Sequence, residues 1–236
     1  MKQNNQDKFI KTTIARYNER LLKYGYNPKT LGWLKGRQGI RYSVLTSIGN
    51  INNSSILDVG CGFGDLYGFL LYKKLSCKYV GIDVNPKLIQ VGISRYPKAK
   101  FIEGNIENGI IRKKFDWIII SGMFNYKHAK KYEYIETILK KIFSSCKKGI
   151  AVDFMTDYVD FRNSNANYVS PEKIFKICKK ISERVVLRHD YMPYEFSVFM
   201  YKDNMKTKNL VYGEFRNSLD KNLRDNKWLK NVGNEI

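Results

Sequence analysis

Proline, cysteine and histidine are scarce in this chain of 236 residues, with five, four and two copies respectively. Few prolines, together with 43% hydrophobic and 14% aromatic residues, exclude a disordered chain and provide for one substantial core, with or without an appendage. Cys61, Cys77, Cys146 and Cys178 form no CxxC pair and only His128 and His189 could join them, which argues against structural zinc; no metal site is expected. Apart from Cys61, the thiols read as small buried apolar groups. No apolar run approaches the ~18 residues of a spanning helix, and the first residues carry charge without the apolar stretch of a secretory signal. No membrane span is expected, and the chain reads as cytoplasmic.

Acidic residues are the other shortage, 22 against 42 lysines and arginines, for a formal charge of +20. Such an excess attracts phosphate polymers and acidic surfaces without selecting one of them. Lysine outnumbers arginine by 31 to 11, and arginine is the better residue for bidentate phosphate and base contacts. Lysine accompanied by abundant Asn, Ile and Tyr is also what an AT-rich genome encodes.

Three segments follow from pattern. Residues 1–54 carry ten basic and two acidic side chains. There Phe9, Ile10, Ile14, Tyr17, Leu21 and Leu22 recur at near-helical spacing, and a second helical stretch offers Ile40, Val44, Leu45 and Ile48 as inward positions. This is a helical preface, suited to act as a lid. Residues 55–202 alternate short apolar strands (Ile56 to Val59, Tyr79 to Asp83, Lys100 to Glu103, Trp117 to Ser121, Ile150 to Phe154) with helical stretches, the pattern of a doubly wound α/β fold with a mostly parallel sheet. Ser170 and Pro171 suit the cap and first position of its last helix. Arg184 to Tyr191 and Phe196 to Lys202 are too close for a crossover helix and predict an antiparallel hairpin, so that the final strand runs against the others. Residues 203–236 form a polar appendage with Phe215, Leu219, Leu223 and Leu229 available to a helix.

The informative residues are Ile56 to Leu66, where a buried strand enters Gly60-Cys61-Gly62-Phe63-Gly64 and then a helix. Glycines at alternate positions let the backbone turn tightly and a ligand approach closely. A dinucleotide fingerprint needs its third glycine at position 65, which is Asp65, an acid that would oppose pyrophosphate at a helix start. Asp83, at the end of the second strand, can accept hydrogen bonds from both hydroxyls of a ribose. Asn105 and Ile106 follow the third strand, where an amide can read an adenine edge.

These motifs resemble the class I, Rossmann-like S-adenosylmethionine-dependent methyltransferases over roughly Ser55 to Lys202. The resemblance implies a seven-stranded sheet with an antiparallel last strand and S-adenosyl-L-methionine as cofactor. It places Asp58, Gly60, Cys61, Gly62 and Gly64 at the methionine end, Asp83 at the ribose and Asn105-Ile106 at the adenine, with Val84, Ser121 and Trp33 as further contacts. The family usually has Asp where Asn105 stands. Leu31-Gly32-Trp33, Gln38, Arg41-Tyr42 and the stretch Leu187 to Pro193 are similar to those of a poorly characterised bacterial subgroup of small-molecule type.

Methyl transfer from a sulfonium needs alignment and water exclusion more than acid–base machinery. His189 is the candidate general base, with an ordinary pKa of about 6.5, Asp190 could orient it, and Tyr126 could position an acceptor. The leading expectation is methylation of an O or N atom of a small molecule, for which the basic preface would suit an anionic acceptor. RNA or DNA methylation is the alternative that the charge favours, although no proline-containing motif of the amino-directed base methyltransferases and no Pro-Cys nucleophile pair appear. A catalytically silent, cofactor-binding partner subunit is the alternative from another class.

Overall fold

Five short, β-branched-rich segments pair in parallel: β1 (Ser54–Val59), β2 (Cys77–Asp83), β3 (Lys100–Glu103), β4 (Phe115–Ile120) and β5 (Cys146–Thr156). They belong to a computed structural model that describes residues 2–33, 37–109, 111–202 and 212–224. Residues 1–201 make one compact unit and residues 202–236 another.

β6 (Tyr168–Val169), a two-residue strand absent from the sequence expectation, pairs with the end of β5. β7 (Arg184–Met192) and β8 (Glu195–Tyr201) form the expected hairpin, and β8 runs antiparallel to both β5 and β7. The main path of the sheet is therefore β3-β2-β1-β4-β5-β8-β7, a Rossmann-like methyltransferase topology. β5 exceeds the segment read from sequence because Lys147 and Lys148 extend the strand while remaining exposed.

Alternation along the strands divides the apolar residues between two faces. On one, Leu57, Ile118, Ile150 and Val152 pack with α5 (Lys131–Ser144) and α6 (Pro171–Ile181). On the other, Ile56, Ile119, Ala151 and Phe199 meet α2 (Gln38–Thr46) and α3 (Asp65–Tyr72). α4 (Pro86–Arg95) lies against Phe101 on that second side. The β3–β4 connection differs from the others in carrying, among the described residues, only a 3₁₀ turn, Ile106–Asn108.

Local chemistry sets the helix starts. Ser170 Oγ accepts from Lys173 N at 3.1 Å, with Pro171 following, as the sequence predicts. Asn85 Oδ1 caps α4 in the same way, accepting from Lys87 N at 3.0 Å and Leu88 N at 3.2 Å. The preface contains α1 (Lys2–Tyr24) and α2. Two residues expected to face inward do not: Leu22 is 84% exposed and Ile40 is 47% exposed. Leu22 lies beside the stripe of Ile10, Ile14, Tyr17 and Leu21, and on α2 the buried position next to Ile40 is taken by Arg41. In the second unit the appendage forms α7 (Gly213–Ser218) and α8 (Lys221–Arg224) instead of one helix, and Leu229 lies outside the described residues. No helix among the described residues is long and apolar enough to cross a membrane.

Beneath the glycine turn, buried Asp58 accepts a hydrogen bond from Tyr79 Oη at 2.7 Å. Burial dominates and pushes its pKa up to about 7, the Tyr79 bond working against this and Asp83 with it. The folded state thus holds a proton that the unfolded chain releases near pH 4, so the stability contributed by Asp58 is present in full below that pH and is lost as the pH rises to about 7. Replacing Asp58 with Asn, which keeps an acceptor for Tyr79, should flatten this fall; melting temperatures at pH 4.5 and 7.5 should differ less in the variant than in the parent. Gly149 on β5 sets a second expectation: a Cβ there would stand 2.9 Å from Met200 O and 2.9 Å from the Trp117 ring. Gly149→Ala should cost about 1–3 kcal/mol, read from the urea midpoint.

Candidate functional site

The carboxyl ends of β1, β2 and β4 open into a cleft, the usual ligand position in open α/β sheets. It encloses about 980 Å³ of space free of atoms, counted out to its solvent-facing mouth.

Its floor is the turn after β1. Gly60 N and Cys61 N both donate to Ile82 O, at 2.8 and 3.1 Å, which pins the turn to β2. Gly60 and Gly62 have φ of +73° and +54°, and a Cβ on them would press on Met123 and Leu31 at 3.2 and 3.0 Å. Asp83 Oδ2 accepts from Gly62 N and its Oδ1 from Asn85 N, each at 2.8 Å. Burial raises the Asp83 pKa, against the backbone N–H groups of Asn85, Gly62 and Val84, which favour the carboxylate. Asn105 Oδ1 is occupied in part, accepting from Glu107 N at 2.9 Å.

The preface supplies the roof. Phe9, Ile10, Thr13, Ile14 and Tyr17 of α1 line the cleft together with Leu31 and Trp33. Asn85 Nδ2 donates to Asn18 Oδ1 at 3.1 Å and to Ile14 O at 3.4 Å, so the residue that caps α4 also holds α1. Arg16 lies 4.5 Å over the Tyr126 ring.

The far wall is a linked group of buried polar residues. Asp153, 2% exposed, accepts from Ser121 Oγ at 2.7 Å and from Gly122 N at 2.6 Å, fixing the turn after β4. Burial, reinforced by Glu195, pushes its pKa up to about 6, while the Gly122 and Ser121 bonds and Arg41 oppose the shift. Arg41, 5% exposed, engages Glu195 through Nε and Nη2, and Trp33 stacks 4.1 Å below its guanidinium. Arg41 Nη1 is buried without a hydrogen-bond partner among the described residues. A Cβ on Gly122 would stand 2.6 Å from the Trp33 ring, so this glycine admits the tryptophan.

Of the residues singled out from sequence, Gly60, Gly62, Asp83, Val84, Asn105, Ile106, Ser121, Trp33 and Tyr126 line the cleft. Others stand apart from it. Asp58 lies below the turn on Tyr79, the Cys61 side chain is buried towards Gly81, and a Cβ on Gly64 would strike Phe101. Cys61 is accordingly a thiol whose pKa burial drives well up. Asp190 pairs with Arg188 at 2.8 Å instead of orienting His189, and His189 Nε2 lies 3.2 Å from Pro193 O; neither lines the cleft. His128 is half-buried, stacked 4.5 Å from Tyr134 and edge-on to Phe9 at 4.8 Å. Sequence reasoning missed the direct part of α1, whose apolar spacing was legible only as a helix face, and the Arg41–Glu195 and Asp153 contacts, which no local pattern announces.

Known proteins agree with this geometry. A methyltransferase-domain family model matches residues 56–149. The methyltransferase-like protein Rv1506c of Mycobacterium tuberculosis is 30% identical over 158 residues, covering 63% of this chain and 93% of that protein. Magnesium protoporphyrin IX methyltransferase from Synechocystis, crystallised with S-adenosylhomocysteine, shares the fold at a TM-score of 0.61 and 15% identity, over 86% of this chain and all of that one. The small RNA methyltransferase HEN1 shares it at 0.57 and 16% identity, over 72% of this chain and 26% of its own. The glycine turn, the sheet order with its antiparallel strand and these relatives place the chain in the class I S-adenosylmethionine-dependent methyltransferases.

Proposed function

We propose that this protein transfers the methyl group of S-adenosylmethionine to an oxygen or nitrogen atom of a small-molecule acceptor held under α1. The observation that carries the reading is the roof: a helix contributing Phe9, Ile10, Ile14 and Tyr17 covers the cleft beside the glycine turn, leaving an enclosed, largely apolar and aromatic space of the kind small ligands occupy.

The cleft residues fit the cofactor. Side chains are absent at Gly60 and Gly62, where an approaching methionine moiety needs room, and the Asp83 carboxylate keeps lone pairs for ribose hydroxyls beside its two backbone donors. Asn105 and Ile106 stand where an adenine edge would lie, the Asn105 oxygen having one lone pair left beyond its Glu107 bond. When bound, the cofactor supplies an electrophilic methyl group on a positively charged sulfur. The chain's own part is positioning: Ser121 and Gly122, fixed by Asp153, would form a wall beside the bound cofactor, Trp33 would help to exclude water, and Tyr126 would orient the acceptor. A proton lost by the acceptor passes to solvent; His189 and Asp190 have no part in this reading. The basic preface favours an anionic acceptor.

Two measurements test the assignment. S-adenosylhomocysteine at a hundred times its Kd should stabilise the protein by about 2.7 kcal/mol, a rise in melting temperature of about 5–10 °C; Asp83→Ala should abolish most of this rise. Labelled-methyl transfer into fractionated lysate should put label into low-mass product, and Tyr126→Ala should lower that transfer at least tenfold while keeping the thermal shift. Label in RNA would instead establish the nucleic-acid reading, and a thermal shift without any transfer the silent-subunit reading.

A further inference from the structure

A second cavity lies at the opposite end of the sheet, around the starts of β1 to β4. It holds about 1280 Å³ of space free of atoms, counted to its open mouth. Its existence follows from the β3–β4 connection: where the other parallel crossovers lay a helix on the sheet, this one has a 3₁₀ turn and a short loop. Part of the sheet face stays uncovered, with the partly exposed Val80, Ile102 and Ile111 in the lining. The start of β2 also extends past β3, whose first partner is Val80, so Cys77 to Tyr79 have β1 on one side only.

The rim is as one-sided as the floor. Lys78, Lys98, Lys100, Arg112, Lys113 and Lys114 surround the apolar residues, and no carboxylate lines the groove. All six are exposed, and among the described residues none is in an ion pair. An apolar floor bordered by six unneutralised cations does not assist folding, because it leaves hydrophobic area wet and like charges together.

We propose that this groove receives an acidic amphipathic helix of a partner protein, which takes the place of the missing crossover helix. Its apolar face covers Val80, Ile102 and Ile111, and its carboxylates meet the rim. Charge disfavours the other occupants. The chain's own residues 203–236 carry seven basic and five acidic side chains, and a second copy carries the same +20. A phosphate backbone would satisfy the rim and leave the floor uncovered, and five of the six cations are lysines, which lack the bidentate fork that arginine offers phosphate. Docking here leaves the cofactor cleft free, because the two openings lie at opposite ends of the strands.

Cys77 supplies a built-in reporter: it lines the groove and is half-buried, whereas Cys61, Cys146 and Cys178 are buried. The test uses the full chain with three probes: a synthetic peptide of about 14 residues with leucine on one helical face and glutamate on the other, a scrambled peptide of the same composition, and poly(U) RNA. The amphipathic peptide should bind at least tenfold more tightly than its scramble and slow alkylation of Cys77. The triple variant Lys78→Glu, Lys100→Glu, Lys113→Glu should lose at least tenfold in peptide affinity while keeping the parent's thermal shift with S-adenosylhomocysteine, which shows that it is folded. Equal binding of the scramble, an unchanged alkylation rate or no peptide binding overturns the proposal. Poly(U) that displaces the peptide and loses affinity in the same variant makes the groove a nucleic-acid surface instead.

Discussion

The guanidinium of Arg41 ties the preface to the β7–β8 hairpin and to the wall of the cleft. It comes from α2 in the preface, grips Glu195 at the tip of the β7–β8 hairpin and lies flat on Trp33 in the cleft wall. Both charged side chains are nearly inaccessible, at 6% and 12% exposure, so each is tolerated because the other is present. Removing one partner of such a pair costs about 3–5 kcal/mol, mostly from the charge left behind. The antiparallel strand matters for this geometry. Because β8 reverses direction, its first residue, Glu195, sits opposite Met155 near the carboxyl end of β5, within reach of the preface.

From that joint the arrangement passes inward. Trp33, braced by Arg41, presses on Gly122, whose N–H is held by Asp153, and Asp153 lies close enough to Arg41 and Glu195 to feel both charges. Elsewhere the preface is held by the Asn85 amide and a phenol: Tyr26 Oη donates to Asp65 at 2.6 Å and Arg95 stacks 4.0 Å from the Tyr26 ring. Asp65, whose position in the glycine motif speaks against pyrophosphate, thus has a local structural use, tying the preface to the first turn of α3. The wall of Ser121, Gly122 and Trp33 is backed by buried charged groups, and the roof is apolar.

What the sequence made legible is what short stretches decide. Strand alternation, the Gly60–Gly62 turn, the Ser170–Pro171 helix start and the hairpin after Tyr191 depend on neighbours a few residues apart, and the structure has all of them. Residues in the motif but turned away from the cleft, Asp58, Cys61 and Gly64, could not be sorted from those facing it, since alternation says which residues share a side and not which side holds the ligand. Ile40 and Arg41 illustrate a second limit. Hydrophobicity alone puts the isoleucine inside, and a partner 154 positions away reverses the choice. His189 and Asp190 show a third: adjacency in the chain put them on opposite sides of a strand, where each found a different partner.

The side chain of Asn85 divides its duties by atom. Its oxygen caps α4 and its nitrogen holds α1. The fastening that holds α1 is therefore separate from the one that starts α4. Breaking two amide contacts, each worth about 0.5–1.5 kcal/mol, frees the roof at this point while the cap beneath it remains made.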